Sequence, residues 1–138
     1  MVVPAQYMDA SLKFDRLLAA AREAAGLVSK NQAYTMLEGV LLAFRRRLTA
    51  AQVLVFADVL PPVARAVLVA GWHEEPPLPF GDREAMTLEA QSLRPGHNFA
   101  PDTCIHDVAI AIRKHVDEAA FDAVVAALPE GAVQFWAA

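Results

Sequence analysis

The sequence predicts an all-α protein: two pseudo-symmetric four-helix units that arise from an internal duplication and pack together. Three observations carry that expectation. Of 138 residues, 28 are Ala, the strongest helix former because it loses no side-chain entropy in a helix. Apolar residues recur at helical spacing along most of the chain. A shift of 68 residues lays the second half over the first.

The first helix is expected from about Asp9 to Ala25, with Phe14, Leu17, Leu18, Ala21 and Ala25 on one face. Gly26 stops it as a left-handed cap residue. Ser29 with Gln32 then forms a capping-box pair, opening a second helix to about Leu48 with the stripe Leu37, Leu41, Phe44 and Leu48. Thr49 with Gln52 repeats the signal, and Val53, Phe56, Ala57 and Leu60 face inward on the third helix. Pro61-Pro62 breaks that helix, and Pro62 suits the first turn of a fourth through Val63, Val67 and Ala70.

GWHEEPPLPFG (71–81) reads as a semi-rigid connector. Asp82 caps a fifth helix bearing Met86, Ala90 and Leu93, which Pro95-Gly96 stops. Asp102 is placed as the cap of a sixth, with Ile105, Val108, Ile112 and Val116. Asp117 caps a seventh, with Phe121, Val124, Val125 and Leu128. Pro129 precedes a last short helix bearing Val133, Phe135 and Trp136. Gly39, inside the second helix, either allows a close helix approach or is tolerated at a cost of about 1 kcal/mol against Ala.

With the 68-residue shift, VLLAFRRRLT (40–49) lies over VAIAIRKHVD (108–117), and Leu60-Pro61 lands on Leu128-Pro129 without a gap. No 34-residue echo exists inside either half, which argues against a tetratricopeptide array. The expected organisation is a single compact domain over 1–138, with sub-repeats 9–72 and 82–138 joined by connector 71–81.

Net charge is −4, which disfavours a phosphate-binding surface of the kind nucleic acid needs. Residues 1–69 carry 8 basic and 5 acidic residues, or +3, and residues 70–138 carry 4 and 11, or −7. Oppositely charged halves attract copies of the chain at low salt. The lone Cys104 excludes an intrachain disulfide and fits a reducing cytoplasm. No signal peptide is read at the N-terminus, and the longest charge-free apolar stretch, Leu48 to Ala57, is ten residues, against about 20 for a membrane span. No membrane partner is expected.

FRRRLTAAQ (44–52), FADVLPPVARA (56–66), HVDEAAF (115–121) and LPEGAVQFW (128–136) resemble the bacterial family catalogued as domain of unknown function 2267. The resemblance covers nearly the whole chain and implies a duplicated, all-helical fold. It implies no activity, since the matching residues are turn, cap and core positions.

Arg45, Arg46 and Arg47 form the sharpest charge run, echoed by Arg113, Lys114 and His115. Guanidinium groups bind phosphate or an acidic partner bidentately, and Arg65 is placed to join Arg45 or Arg46. The competing account is helix-end electrostatics, worth about 0.3–1 kcal/mol per cation. His97, Cys104, His106 and His115 invite a metal site, but only Asp102 and His106 share a helix face, so no metal ligand and no cofactor is assigned. Ser11, Ser29 and Ser92 lack a nucleophile-elbow setting, so no catalytic residue is assigned. Trp72, Phe80, Phe99, Phe135 and Trp136 form either a partner surface or the seam between the units.

The function expected is therefore a non-catalytic helical binding or scaffolding module, self-associating as a homo-oligomer or bound to another protein. Its candidate binding residues are Arg45, Arg46, Arg65, Arg113, Asp102, His106, Trp72 and Trp136. The alternative is a small-ligand or anion site, or an enzyme, with a pocket between the units lined by Arg45, Arg65, Arg113, His106 and Asp102. A weaker alternative is nucleic-acid binding through the Arg45–Arg47 ridge.

Overall fold

The computed structural model describes residues 2–138. They form nine helices and no strand: α1 (Ala5–Met8), α2 (Ala10–Ala25), α3 (Lys30–Arg45), α4 (Ala50–Ala57), α5 (Pro62–Val69), α6 (Arg83–Gln91), α7 (Cys104–Arg113), α8 (Glu118–Ala126) and α9 (Ala132–Phe135). Both capping boxes are formed, at Ser29 with Gln32 and at Thr49 with Gln52. Asp82 and Asp117 accept from the amides of Glu84 and Ala120 at the starts of α6 and α8.

Several boundaries differ from the sequence expectation. Asp102 does not cap α7: the helix starts two residues later, after Thr103, and Asp102 instead accepts from Gln91 Nε2 at 3.0 Å. A second polar partner within reach outcompetes the local cap. The helix before Thr49 ends at Arg45 rather than Leu48, and α7 ends at Arg113 rather than Val116. α5 is turned so that Ala64, Val67 and Leu68 are buried and Ala70 is exposed. α1 was not expected from the sequence, since it buries no residue and so has no apolar stripe.

α3 is the central helix, burying Met36, Leu37, Val40, Leu41 and Phe44. Packing runs crosswise between the halves of the chain. α2 lies on α7 as well as on its neighbour α3, α3 lies on α6, and α4 lies on α8. The consequence is one apolar core drawn from α2 through α9, rather than two touching ones. Its centre is aromatic. Phe44 stands 4.7 Å from Phe56, 5.0 Å from Phe135 and 5.2 Å from Trp136, ring centre to ring centre. Such tilted and edge-on pairs add about 0.5–1.5 kcal/mol each beyond their area burial.

Two glycines make this packing possible. A Cβ on Gly39 would collide with the carbonyl oxygen of Ala90, so α3 and α6 meet backbone to backbone there. Gly131 has φ +105°, and a Cβ on it would stand 2.5 Å from Phe80 Cβ. Phe80 is thereby seated against Phe44 and Phe135, which anchors the end of the connector. The connector is fixed in its middle by the Leu78 amide, which donates to the Arg46 carbonyl at 2.9 Å. Among the described residues no helix is long and apolar enough to cross a membrane.

Candidate functional site

The arginines carry much of the side-chain hydrogen bonding of the chain, and several of their donors are used internally. Arg45 Nη1 donates to the Leu68 carbonyl at 2.9 Å, and Arg113 Nε donates to the Trp136 carbonyl at 3.0 Å. Arg65 Nε donates to the Leu60 carbonyl at 3.0 Å. Arg83 Nη1 reaches the carbonyls of Gln134 and Phe135 at 2.9 and 3.2 Å. These oxygens lie at helix ends or in the turn after α4, where the helix leaves carbonyls without intrahelical partners.

The Arg45–Arg47 ridge is not a row of free cations. Arg47 is 7% exposed and grips Glu89 through Nη2 to Oε2 at 2.8 Å and through Nη1 to Oε1 at 3.0 Å. Arg46 donates to the same Glu89 at 2.6 Å. One carboxylate of α6 thus pairs with two of the three cations, and Arg46 stays half-exposed.

Arg45, Arg65, Arg113, His106 and Asp102 do not converge. The three arginines line three different clefts. His106 is exposed, and Asp102, also exposed, is turned toward Gln91. Trp136 is fully buried and presents no ring face to a partner. Among the described residues its Nε1–H has no acceptor, and neither has Arg47 Nε. The structure does bring Arg45, Arg46 and Trp72 together. With His73 and Glu75 they line a cleft of about 330 Å³ between the end of α3 and the connector.

Cys104 is buried, and burial pushes its thiol up to about 11, so almost no thiolate exists at neutral pH. Burial also lowers the pKa of His115, aided by the positive charges of Lys114 and Arg16. Among the described residues, no three His, Cys, Asp or Glu side chains come together in a metal-binding arrangement.

A groove does lie between the two halves, with a volume of about 840 Å³. None of the five expected polar residues lines it. Its walls are the first turn of α4 (Thr49, Gln52), the connector from Pro77 to Gly81, the start of α6 (Arg83, Met86) and the segment Pro129 to Phe135. Sequence inspection missed Arg83, Gln134 and Met86 as groove residues because each reads as an ordinary helix position. The sequence marked only the proline-rich connector that forms one wall of the groove.

These features define an all-helical, single-core protein with open clefts, in which the reactive side chains described are buried, paired or dispersed. The chain belongs to the family of uncharacterised conserved proteins DUF2267, which matches residues 14–135. No curated protein matches the chain.

Proposed function

We propose that the chain is a non-catalytic helical binding or scaffolding module, made by duplication of a four-helix unit, whose groove between the halves receives protein, a second copy of the chain included. The groove is the observation that carries this. Both halves and the connector wall it, and its side chains are apolar (Leu78, Phe80, Met86, Phe135), neutral hydrogen-bonding (Thr49, Gln52, Gln134) or charged (Arg47, Arg83, Glu130), with no cysteine and no histidine among them.

The duplication is supported by the order of elements. A shift of 68 residues carries α4 (Ala50–Ala57) onto α8 (Glu118–Ala126) and the end of α3 at Arg45 onto the end of α7 at Arg113. The same shift carries the Arg45–Leu68 hydrogen bond onto the Arg113–Trp136 bond. Crosswise packing of α2 on α7 and of α3 on α6 is what a two-fold relation between two such units requires.

Apolar side chains left at the surface favour association. Leu78 is 40% exposed in the groove wall, and Val133, next to the groove residue Gln134, is 54% exposed. The opposed charges of the halves partly cancel within the chain, because Arg46 and Arg47 meet Glu89. Apolar contact rather than charge is therefore the driving term. A reducing, cytoplasmic setting is consistent with the lone thiol of Cys104.

Sedimentation velocity at low and high salt tests this. Self-association that persists at high salt and is lost in Leu78→Glu or Val133→Glu is the expected result. A strict monomer at every salt and at tens of micromolar would remove the second copy as occupant.

A further inference from the structure

Arg45 and Arg113 perform one structural task in unequal surroundings. Each donates to a carbonyl at the end of a short helix. Arg113 is also neutralised, with Asp122 at 2.8 Å and Glu118 at 3.9 Å from its Nη1. The positions 68 residues before those acids hold Leu54 and Ala50. Among the described residues, Arg45 has no carboxylate within salt-bridge distance. Its Nη1 is used by the carbonyls of Leu68 and Ala70, while its Nε and Nη2 have no acceptor among the described residues. The Nε–Nη2 edge of a guanidinium is one of its bidentate faces for carboxylate or phosphate.

The connector supplies the rest of the cleft that Arg45 lines. Trp72, half-buried against the core, lines the cleft with Arg45, and His73 and Arg46 add donors. Glu75 also lines it, close enough to act on Arg45 electrostatically but not paired with it. The wall is stiff. Pro76, Pro77 and Pro79 fix φ along the connector, the residue before each proline is held extended, and Leu78 is tied to Arg46. At about 330 Å³ the cleft lies at the lower end of the range of small-molecule sites, roughly 300–1,000 Å³.

We propose that this cleft is a binding site for a small anion carrying a flat ring, an aryl or heteroaryl phosphate or carboxylate. Arg45 takes the anion through Nε and Nη2, Trp72 takes the ring, and Glu75 is the internal carboxylate that the ligand competes against. The site is distinct from the protein-binding groove, since the connector at Leu78 is the wall between the two clefts.

The test titrates the full chain with phenyl phosphate at constant ionic strength, reading Trp72 emission above the constant contribution of the buried Trp136. A saturable change is expected, with inorganic phosphate weaker by roughly tenfold because it forgoes the ring contact. Arg45→Gln abolishes the response, and Arg113→Gln leaves it in place. Because Arg45 also holds Leu68, a second variant keeps the test decisive: Glu75 is exposed and outside the core, and Glu75→Gln tightens binding by about two- to fivefold. The proposal is overturned by a change that does not saturate, by affinity unmoved in both Arg45→Gln and Glu75→Gln, or by inorganic phosphate binding as well as phenyl phosphate.

Discussion

The guanidinium of Arg113 holds the carbonyl oxygen of Trp136, 23 residues further along the chain, at 3.0 Å. The bond ties the end of α7 to the end of α9, and the cation stands where a helix terminus concentrates partial negative charge. The same guanidinium lies 5.2 Å over the ring of Phe121 and pairs with Asp122. Removing it as Arg113→Met is expected to cost about 1.5–3 kcal/mol, the range for hydrogen bonds to charged groups. Arg113→Lys recovers only part, because an ammonium does not reproduce the planar fork. The midpoint of urea unfolding measures both.

Gly39 makes a sharper prediction. Helix propensity alone favours Ala at this position by about 1 kcal/mol. The Ala90 carbonyl occupies the space a Cβ needs, and backbone cannot yield as a flexible side chain does. Gly39→Ala therefore destabilises by about 1–3 kcal/mol in spite of the propensity gain. Gly81→Ala is the control: a Cβ there meets nothing within 4 Å, so its urea midpoint stays near the parent value.

Glu89 accepts from both Arg46 and Arg47 at the contact of α3 with α6. Its loss leaves the buried Arg47 without a counter-charge. Glu89→Gln is expected to cost about 3–5 kcal/mol, as breaking one side of a buried pair does. The double variant Arg47→Met with Glu89→Leu recovers most of that, since it also removes the unpartnered Arg47 Nε. A double variant no more stable than Glu89→Gln alone would show that the pair contributes more than it costs to desolvate.

His115 gives the fold a pH dependence. Burial, Lys114 and Arg16 lower its pKa in the folded state. The unfolded chain, with histidine near 6.5, then binds the proton more readily. Stability is full above that value and falls as pH drops through the lowered folded pKa. Urea unfolding at neutral and mildly acidic pH should show a loss in the parent that is smaller in His115→Gln.

The local code was legible because caps, breaks and apolar stripes act within a few residues. Ser29, Thr49, Asp82 and Asp117 all cap as their spacing implied, and Leu37, Leu41 and Phe44 are buried. The long-range partners were not legible. Nothing near Arg113 points to a carbonyl 23 residues away, and nothing near Arg47 points to Glu89. Asp102 looked like a cap because its competitor, Gln91, arrives from another helix. Trp136 looked available to a partner because its position at a helix end did not reveal Phe44, Phe56 and Phe121 closing around it. The candidate cleft was half visible. Arg45, Arg46 and Trp72 stood out by residue type, but their meeting depends on the connector folding back onto the end of α3.

The crosswise packing of α2 on α7 and α3 on α6 predicts that the two halves unfold as one cooperative body. Differential scanning calorimetry of the full chain tests this most directly. One transition is predicted, with calorimetric and van't Hoff enthalpies equal within error. Two resolved transitions, or a van't Hoff enthalpy well below the calorimetric one, would contradict a single core shared by both halves.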